Sequence, residues 1–350
     1  MALPGLAPSA IGIAGGAILR TDIRAFIESA PDIEQGLVAE DVFPVFPVDS
    51  RDGQYLTATL TDTGVASTAG QPRAPGAAFA RNYRQQNSRQ YSCLNYGVEG
   101  PVAQEIEDYL NGDFGFDVQA EHTKYNLRGM KLLQEQRVAN ALMNSANYTA
   151  TAASVAYLLA NQPTTATTPC VPMFDITSAI TRLRAQGVLA DTIVLSLNLA
   201  NYILSCGTFL QFVKPFGVGS PGSIPDLSYI KKAFEQYGIT RVLIPWANIN
   251  TAPLGSTAAM SPIWPDTYIW VGKAGTGNST STLGGAGRLF TWKKQGGLYT
   301  VVTYWEQQTK STIIQVEQFV AEVILGVEAG GSATGVSTFG QLITTSYTGS

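Results

Sequence analysis

Apolar and polar positions repeat along this chain with periods that change from one region to the next, and the longest regular pattern is helical. From Asp117 to Tyr148 no proline intervenes, and Tyr125, Leu132, Ala139, Leu142, Met143 and Ala146 recur at helical spacings that predict one apolar stripe. Asp117 is suited to cap this helix and Glu121 places negative charge in its first turn, where the helix dipole favours it. Asn144, Ser145 and Asn147 compete for helical hydrogen bonds and mark its end. A helix over residues 117–147 would be roughly 45 Å long, a strut rather than an ordinary globular helix.

Before the strut the period is two or absent. Val42 to Val48 carries prolines that forbid a central strand, so it reads as an extended arm. Its Phe43, Val45 and Phe46 need apolar cover from elsewhere in the chain or from another subunit. A short helix is predicted over Asp22–Ser29. Tyr55 to Thr61 alternates cleanly, Tyr83 to Val98 alternates weakly, and the pair predicts a long hairpin with too few apolar residues to fold alone. A short acidic helix is expected over Glu99–Leu110.

After the strut an apolar helix is predicted at Ala153–Leu159, and from Asp175 the pattern becomes α/β. Asp175 is expected to cap a helix burying Ile176, Ile180 and Leu183 and stopping at Gly187. A buried strand follows at Thr192–Leu197, then a helix over Asn198–Phe212. Asp226 is expected to cap the next helix, with Leu227, Ile230, Phe234 and Tyr237 inward and Gly238 as its stop. Further strands are predicted at Arg241–Pro245 and Thr267–Val271, with Asn248–Pro265 and Gly272–Gly287 as loops. The last third returns to strands at Leu289–Trp292, Leu298–Glu306 and Ser311–Val327, the last bent or broken, with an edge strand at Phe339–Ser346.

Composition changes this picture in one direction. The 350 residues carry a formal net charge of −4, and only 14% are charged while 45% are hydrophobic. A surface that poor in charge is expected to meet other protein. The acidic balance argues against binding nucleic acid by charge. Charge in the hairpin is lopsided, with Arg51, Arg73, Arg81, Arg84 and Arg89 against Asp52 and Asp62, and no aromatic ladder accompanies the arginines. Cys93, Cys170 and Cys206 form no CxxC pair and read as reduced thiols. No apolar run reaches the length of a membrane span, and the N-terminal apolar stretch lacks the basic region of a signal peptide.

Candidate chemistry is thin. His122 is the sole histidine, which excludes HExxH and any multi-histidine metal site, and a Ser–His–Asp triad would lack its GxSxG elbow. Gly272 to Ser279 resembles a phosphate loop only superficially, because its lysine comes at the start of the stretch and no helical segment follows. Glu105, Glu107 and Asp108 lie on one polar helix face. No catalytic, metal or cofactor-binding residue is expected.

The order of elements resembles the major capsid protein of tailed double-stranded-DNA phages, the HK97-fold family. Tyr125 to Leu142 looks like its spine helix, Asp191–Leu197 followed by Tyr202–Lys214 is similar to a strand–helix unit of its lobe, and Tyr299–Trp305 with the strand after it resembles its long-stranded sheet. The resemblance implies an α+β chain divided into an N-terminal arm (1–49), an E-loop hairpin (50–98), a peripheral P-domain (99–174 and 288–350, spine helix 117–147) and a compact α/β axial A-domain (175–287). It implies an icosahedral shell of pentamers and hexamers, in the virion and assembled in the bacterial host cytoplasm. Portal, scaffolding and decoration proteins are the implied partners, with weak non-specific DNA contact and no membrane. Phe43, Phe46, Arg73, Arg81, Arg84 and Arg89 are then candidates for intersubunit contact, with Glu105, Glu107 and Asp108 as acidic partners. Some members cross-link through an E-loop lysine, but the first lysine here is Lys124, so that chemistry is not expected. No charged helical leader precedes the arm, so no fused scaffold is expected. An encapsulin-like compartment is the alternative shell; an α/β enzyme with an extended arm is the alternative of a different class.

Overall fold

The structure, a computed structural model, describes residues 36–57, 72, 74–77, 87–114, 117–148, 152–155, 171–213, 226–253, 255–275, 285–293, 297–326 and 337–345. The expected helix at Asp22–Ser29, most of the hairpin tip and most of the Gly272–Gly287 loop lie outside the described residues.

A short helix α1 (Ala39–Val42) leads into β1 (Val45–Val48). β1 runs parallel to a distant strand, with Val45 opposite Leu289 and Val48 opposite Trp292. Pro47 lacks an amide donor, which an outermost strand tolerates. The hairpin follows as β2 (Asp52–Thr57) and β3 (Asn87–Ser92), antiparallel from Asp52↔Ser92 to Thr57↔Asn87. Glu99–Ala103 is strand, not helix. It belongs to β4 (Leu94–Ala103), and helix α2 starts only at Gln104 and runs to Phe114. Gly100 and Pro101 are poor in a helix interior, and pairing to a long neighbouring strand decides the matter.

The strut is α3 (Val118–Leu142), capped by Asp117, whose carboxylate accepts from the Ala120 N–H at 2.9 Å. Its 25 residues span roughly 37 Å. It stops short of residue 147 because Asn144 takes the Ala146 N–H and begins a separate 3-10 turn at Ser145–Asn147. Its buried face also differs from the predicted stripe. Ala139, Leu142 and Met143 are buried as expected, but Tyr125 is 72% exposed and Ala146 is exposed, while Asn126, Met130, Gln134, Glu135 and Val138 face inward. The polar members turn inward because partners await them: Asn126 Nδ2 donates to the Ile314 carbonyl at 3.1 Å, and the Tyr299 hydroxyl donates to Gln134 at 2.9 Å.

Ala152–Val155 is a strand, β5, where a helix was expected, because it pairs with a C-terminal strand. The lobe then opens with α4 (Pro172–Ala185), which buries Ile176, Ile180 and Leu183 as predicted and ends before Gly187 at φ 78°. Its first position is Pro172, and Asp175 lies inside the first turn instead of capping it. β6 (Thr192–Val194) is followed by α5 (Leu197–Ser205), capped by Ser196, and by α6 (Gly207–Val213). The single helix expected over Asn198–Phe212 is therefore broken at Cys206. α7 (Ser228–Glu235) buries Ile230 and Phe234, whereas Tyr237 lies beyond its end and is exposed. β7 (Arg241–Leu243) follows, and the expected polar loop contains a small hairpin, β8 (Asn248–Asn250) with β9 (Met260–Pro262). The remaining strands are β10 (Tyr268–Gly272), β11 (Gly287–Trp292), β12 (Thr300–Glu306), β13 (Ser311–Ile324, unbroken) and β14 (Gly340–Thr345).

Two five-stranded sheets result. In the first, β13 carries β4 along one side and β12 and β11 along the other, with β1 outside β11. In the second the order is β5-β14-β10-β6-β7, so β14 is an interior strand and not the expected edge. A split into 175–287 and 288–350 does not follow these sheets, since 340–345 pairs with the lobe strand β10. The lobe core gathers Ile193, Leu195, Phe209, Phe234, Ile269 and Val271. A second core joins the arm, the strut and the lobe through Phe43, Val138, Leu142, Trp264, Trp270 and Leu289.

Candidate assembly surfaces

The surface that departs furthest from ordinary burial is β12. Successive strand residues point to opposite faces, and an ordinary outer strand buries one of them. Here both faces are open: Val302 and Tyr304 on one and Val301 and Trp305 on the other are each between 41% and 50% exposed. Among the described residues β12 pairs with β13 alone, from Thr300↔Glu317 to Glu306↔Ser311, and no described strand pairs with its other edge. It contains no proline and one charge, Glu306 at its end. Such an edge is a template for another chain unless it is guarded. Its side chains are tied at two points, the Tyr304 hydroxyl donating to Glu99 at 3.3 Å and Glu306 accepting from the Thr309 hydroxyl at 2.6 Å.

The described base of the hairpin is fastened to the sheet. Tyr55 and Tyr91 both pack on Phe290 of β11, with ring centroids 5.6 and 4.9 Å away. Arg51 donates to the Cys93 carbonyl at 3.2 Å, and its guanidinium lies 5.9 Å from the Phe319 ring. Burial pushes the Cys93 thiol up to about 11, so it stays protonated at neutral pH and serves as packing. Cys206 is likewise a buried thiol, 3.1 Å from the Thr208 hydroxyl.

The sequence-predicted contact residues separate into three groups. Phe43 is fully buried in its own chain, in the core shared with Val138 and Leu289, and so cannot be an intersubunit contact in this arrangement. The need for apolar cover was real, but α3 and β11 meet it. Phe46 is half-buried, 5.7 Å from the Phe290 ring and from the Arg288 guanidinium. Arg89 lies on β3 opposite Tyr55 and is half-buried. Arg73, Arg81 and Arg84 lie outside the described residues. On α2, Glu105 and Asp108 are exposed, with Ile106 and Tyr109 exposed beside them. Glu107 is half-buried and accepts from Gln119, which ties α2 to α3.

Two features escaped the sequence reading. One is the openness of β12, whose Thr-Val-Val-Thr-Tyr-Trp run has no inside–outside alternation to predict a buried face. The other is Glu135, 1% exposed, whose carboxylate accepts three N–H groups from Val38, Ala39 and Trp264. Nothing local distinguishes it from a solvated helix glutamate. Burial pushes its pKa above the ordinary value; the three donors pull it down and nearby Asp41 adds to the rise.

His122 lies on α3 beside Gly100 of β4. Among the described residues no group of three His, Cys, Asp or Glu side chains could hold a metal ion, and no helix is long and apolar enough to cross a membrane.

No protein-family model and no curated protein matches the chain. Solved structures do. A phage-related protein from Bordetella bronchiseptica RB50 is similar over 94% of this chain and 96% of its own, with a TM-score of 0.62 and 20% identity. A chain from Microbacterium phage Oxtober96 is similar over 89% and 91%, with a TM-score of 0.50 and 14% identity. An encapsulin from Synechococcus elongatus matches over 90% of both chains, but its TM-score of 0.46 is too low to weigh in the choice. At these identities the likeness is one of fold, and it extends over nearly the whole chain.

Proposed function

We propose that this chain is the major capsid protein of a tailed double-stranded-DNA phage, a structural subunit that self-assembles into the icosahedral head shell. The observation that carries the reading is β12, an unguarded strand edge with apolar side chains open on both faces. A protein that works as a monomer guards such an edge, whereas a shell subunit uses it against neighbouring copies. The hairpin supports the same reading, since its sequence has too few apolar residues to fold alone and it would gain cover by lying across a neighbour. The fold shared with the phage-related protein and the Microbacterium phage chain agrees.

In this reading residues 1–49 act as the N-terminal arm and 50–98 as the E-loop. The sheet built on β13, backed by α3, forms the peripheral part, and the sheet from β5 to β7 with α4–α7 forms the axial part. Pentamers and hexamers make up the shell. Arg73, Arg81, Arg84 and Arg89 meet Glu105, Glu107 or Asp108 of an adjacent subunit. Portal, scaffolding and decoration proteins complete the particle. The net negative charge suits a wall that encloses DNA without condensing it.

Electron microscopy with sedimentation of the purified chain tests the proposal. Closed shells, tubes or discrete pentamers and hexamers are expected. Val302→Lys with Trp305→Lys should leave a folded chain, by circular dichroism and thermal melting, that no longer assembles. A wild-type chain that stays monomeric at high concentration and with scaffold added would overturn the reading. DNA inside particles recovered from a producing host is expected; a packaged enzyme in its place would point to a compartment instead.

A further inference from the structure

The segment from Leu37 to Val48 is held by contacts from four distant parts of the chain. Glu135 Oε1 accepts the Val38 N–H at 2.9 Å and the Trp264 indole N–H at 2.7 Å, and Oε2 accepts the Ala39 N–H at 2.8 Å. The Phe43 ring lies directly on Gly287, where any Cβ would collide with it. The Pro44 ring fits the same way on Gly275, 2.9 Å from where a Cβ would stand. The Leu289 N–H donates to the Pro44 carbonyl at 3.2 Å and starts the β1–β11 ladder. The glycines make room for the strap, and the carboxylate reads its backbone.

The balance of forces in this seat differs from that of the surrounding core. An ionised carboxylate accepts only, so it matches three converging N–H groups. All three donors are neutral, and Arg137, two residues along the same helix, is paired with Glu322 at 2.7 Å. Taking a carboxylate out of water against neutral donors is costly, and this cost offsets much of what the three bonds and the Phe43 ring contribute. Lifting the strap would rehydrate Glu135 and its donors together. β13, by contrast, is laddered on both sides along most of its length, to β4 and to β12 and β11.

We infer that residues 37–48 form a releasable strap latched on Glu135, which opens as one unit while β13 stays folded and so bares the outer edge of β11. The strap is then a conformational device within the subunit, and it does not depend on the shell reading.

Hydrogen exchange on the purified full-length chain, read by mass spectrometry, tests it. In the wild type, peptides covering 37–48 should exchange about tenfold or more faster than those covering 311–324. Glu135→Leu strands three buried N–H groups in the closed form and should speed exchange of 37–48 by about a further tenfold or more, with 311–324 unchanged. Gly287→Ala, which crowds Phe43 through unrelated chemistry, should act the same way and serves if Glu135→Leu fails to fold. Exchange of 37–48 at the slow rate of 311–324 in the wild type would overturn the inference. So would variants that speed both segments in step.

Discussion

β1 and β12 are both outer strands of the same sheet, and the chain treats them in opposite ways. β1 is four residues long, contains Pro47, follows Pro44, and ends in the buried Val48. Residues just before it supply Phe43 to the core and two backbone N–H groups to Glu135. β12 is longer, has no proline, and leaves Val301, Val302, Tyr304 and Trp305 uncovered. β4, the third outer strand, carries Pro101. Proline thus marks two of the three edges and is missing from the one that is apolar on both faces. The difference teaches that openness at β12 is selective: the same chain guards its other edges.

The largest effect that should sharpen this contrast comes from Phe43. Phe43→Ala removes a fully buried ring and should cost about 3–5 kcal/mol in chemical denaturation. A cost under about 1 kcal/mol would mean that the arm contributes little to the closed subunit. Gly287→Ala should follow at about 1–3 kcal/mol, because the added methyl group must displace the Phe43 ring.

A smaller effect is expected from pH. Burial raises the folded-state pKa of Glu135, so the folded chain holds this proton more tightly than the unfolded chain does. Its contribution to stability is fully present below the ordinary glutamate value of 4.5 and is lost as pH rises through the raised folded value. Relative to Glu135→Gln, the wild type should therefore gain stability as pH falls from 7 towards 4.5. A difference between the two chains that stays constant over that range would remove the titration from Glu135. The smallest change should come from Trp305→Ala. Despite the size of the residue, its loss should alter subunit stability by no more than about 0.5 kcal/mol while weakening assembly.

Much of the local structure was legible in the residues. The Asp117 cap, the burial of Ile176, Ile180 and Leu183 and the Gly187 stop all depend on neighbours within a few positions. The errors have a common cause. Glu99–Ala103 and Ala152–Val155 became strands because β13 and β14 were there to pair with them. The strut turned Asn126, Gln134 and Glu135 inward because a carbonyl, a hydroxyl and three N–H groups waited on the other side. The candidate contact residues fared unevenly: the apolar need at Phe43 was visible in the sequence, but the strands and helix that answered it were not.

By itself the sequence determined most of the helical and extended segments, the low charge content of the chain and the exclusion of any multi-histidine site, because periodicity, caps and composition are local or global counts. Only the tertiary structure decided that β1 closes on β11, that β14 enters the lobe sheet, that Glu135 is sealed inside and that β12 is left open. Each of those depends on groups far apart in the chain arriving at one place, where desolvation and pairing are settled between them.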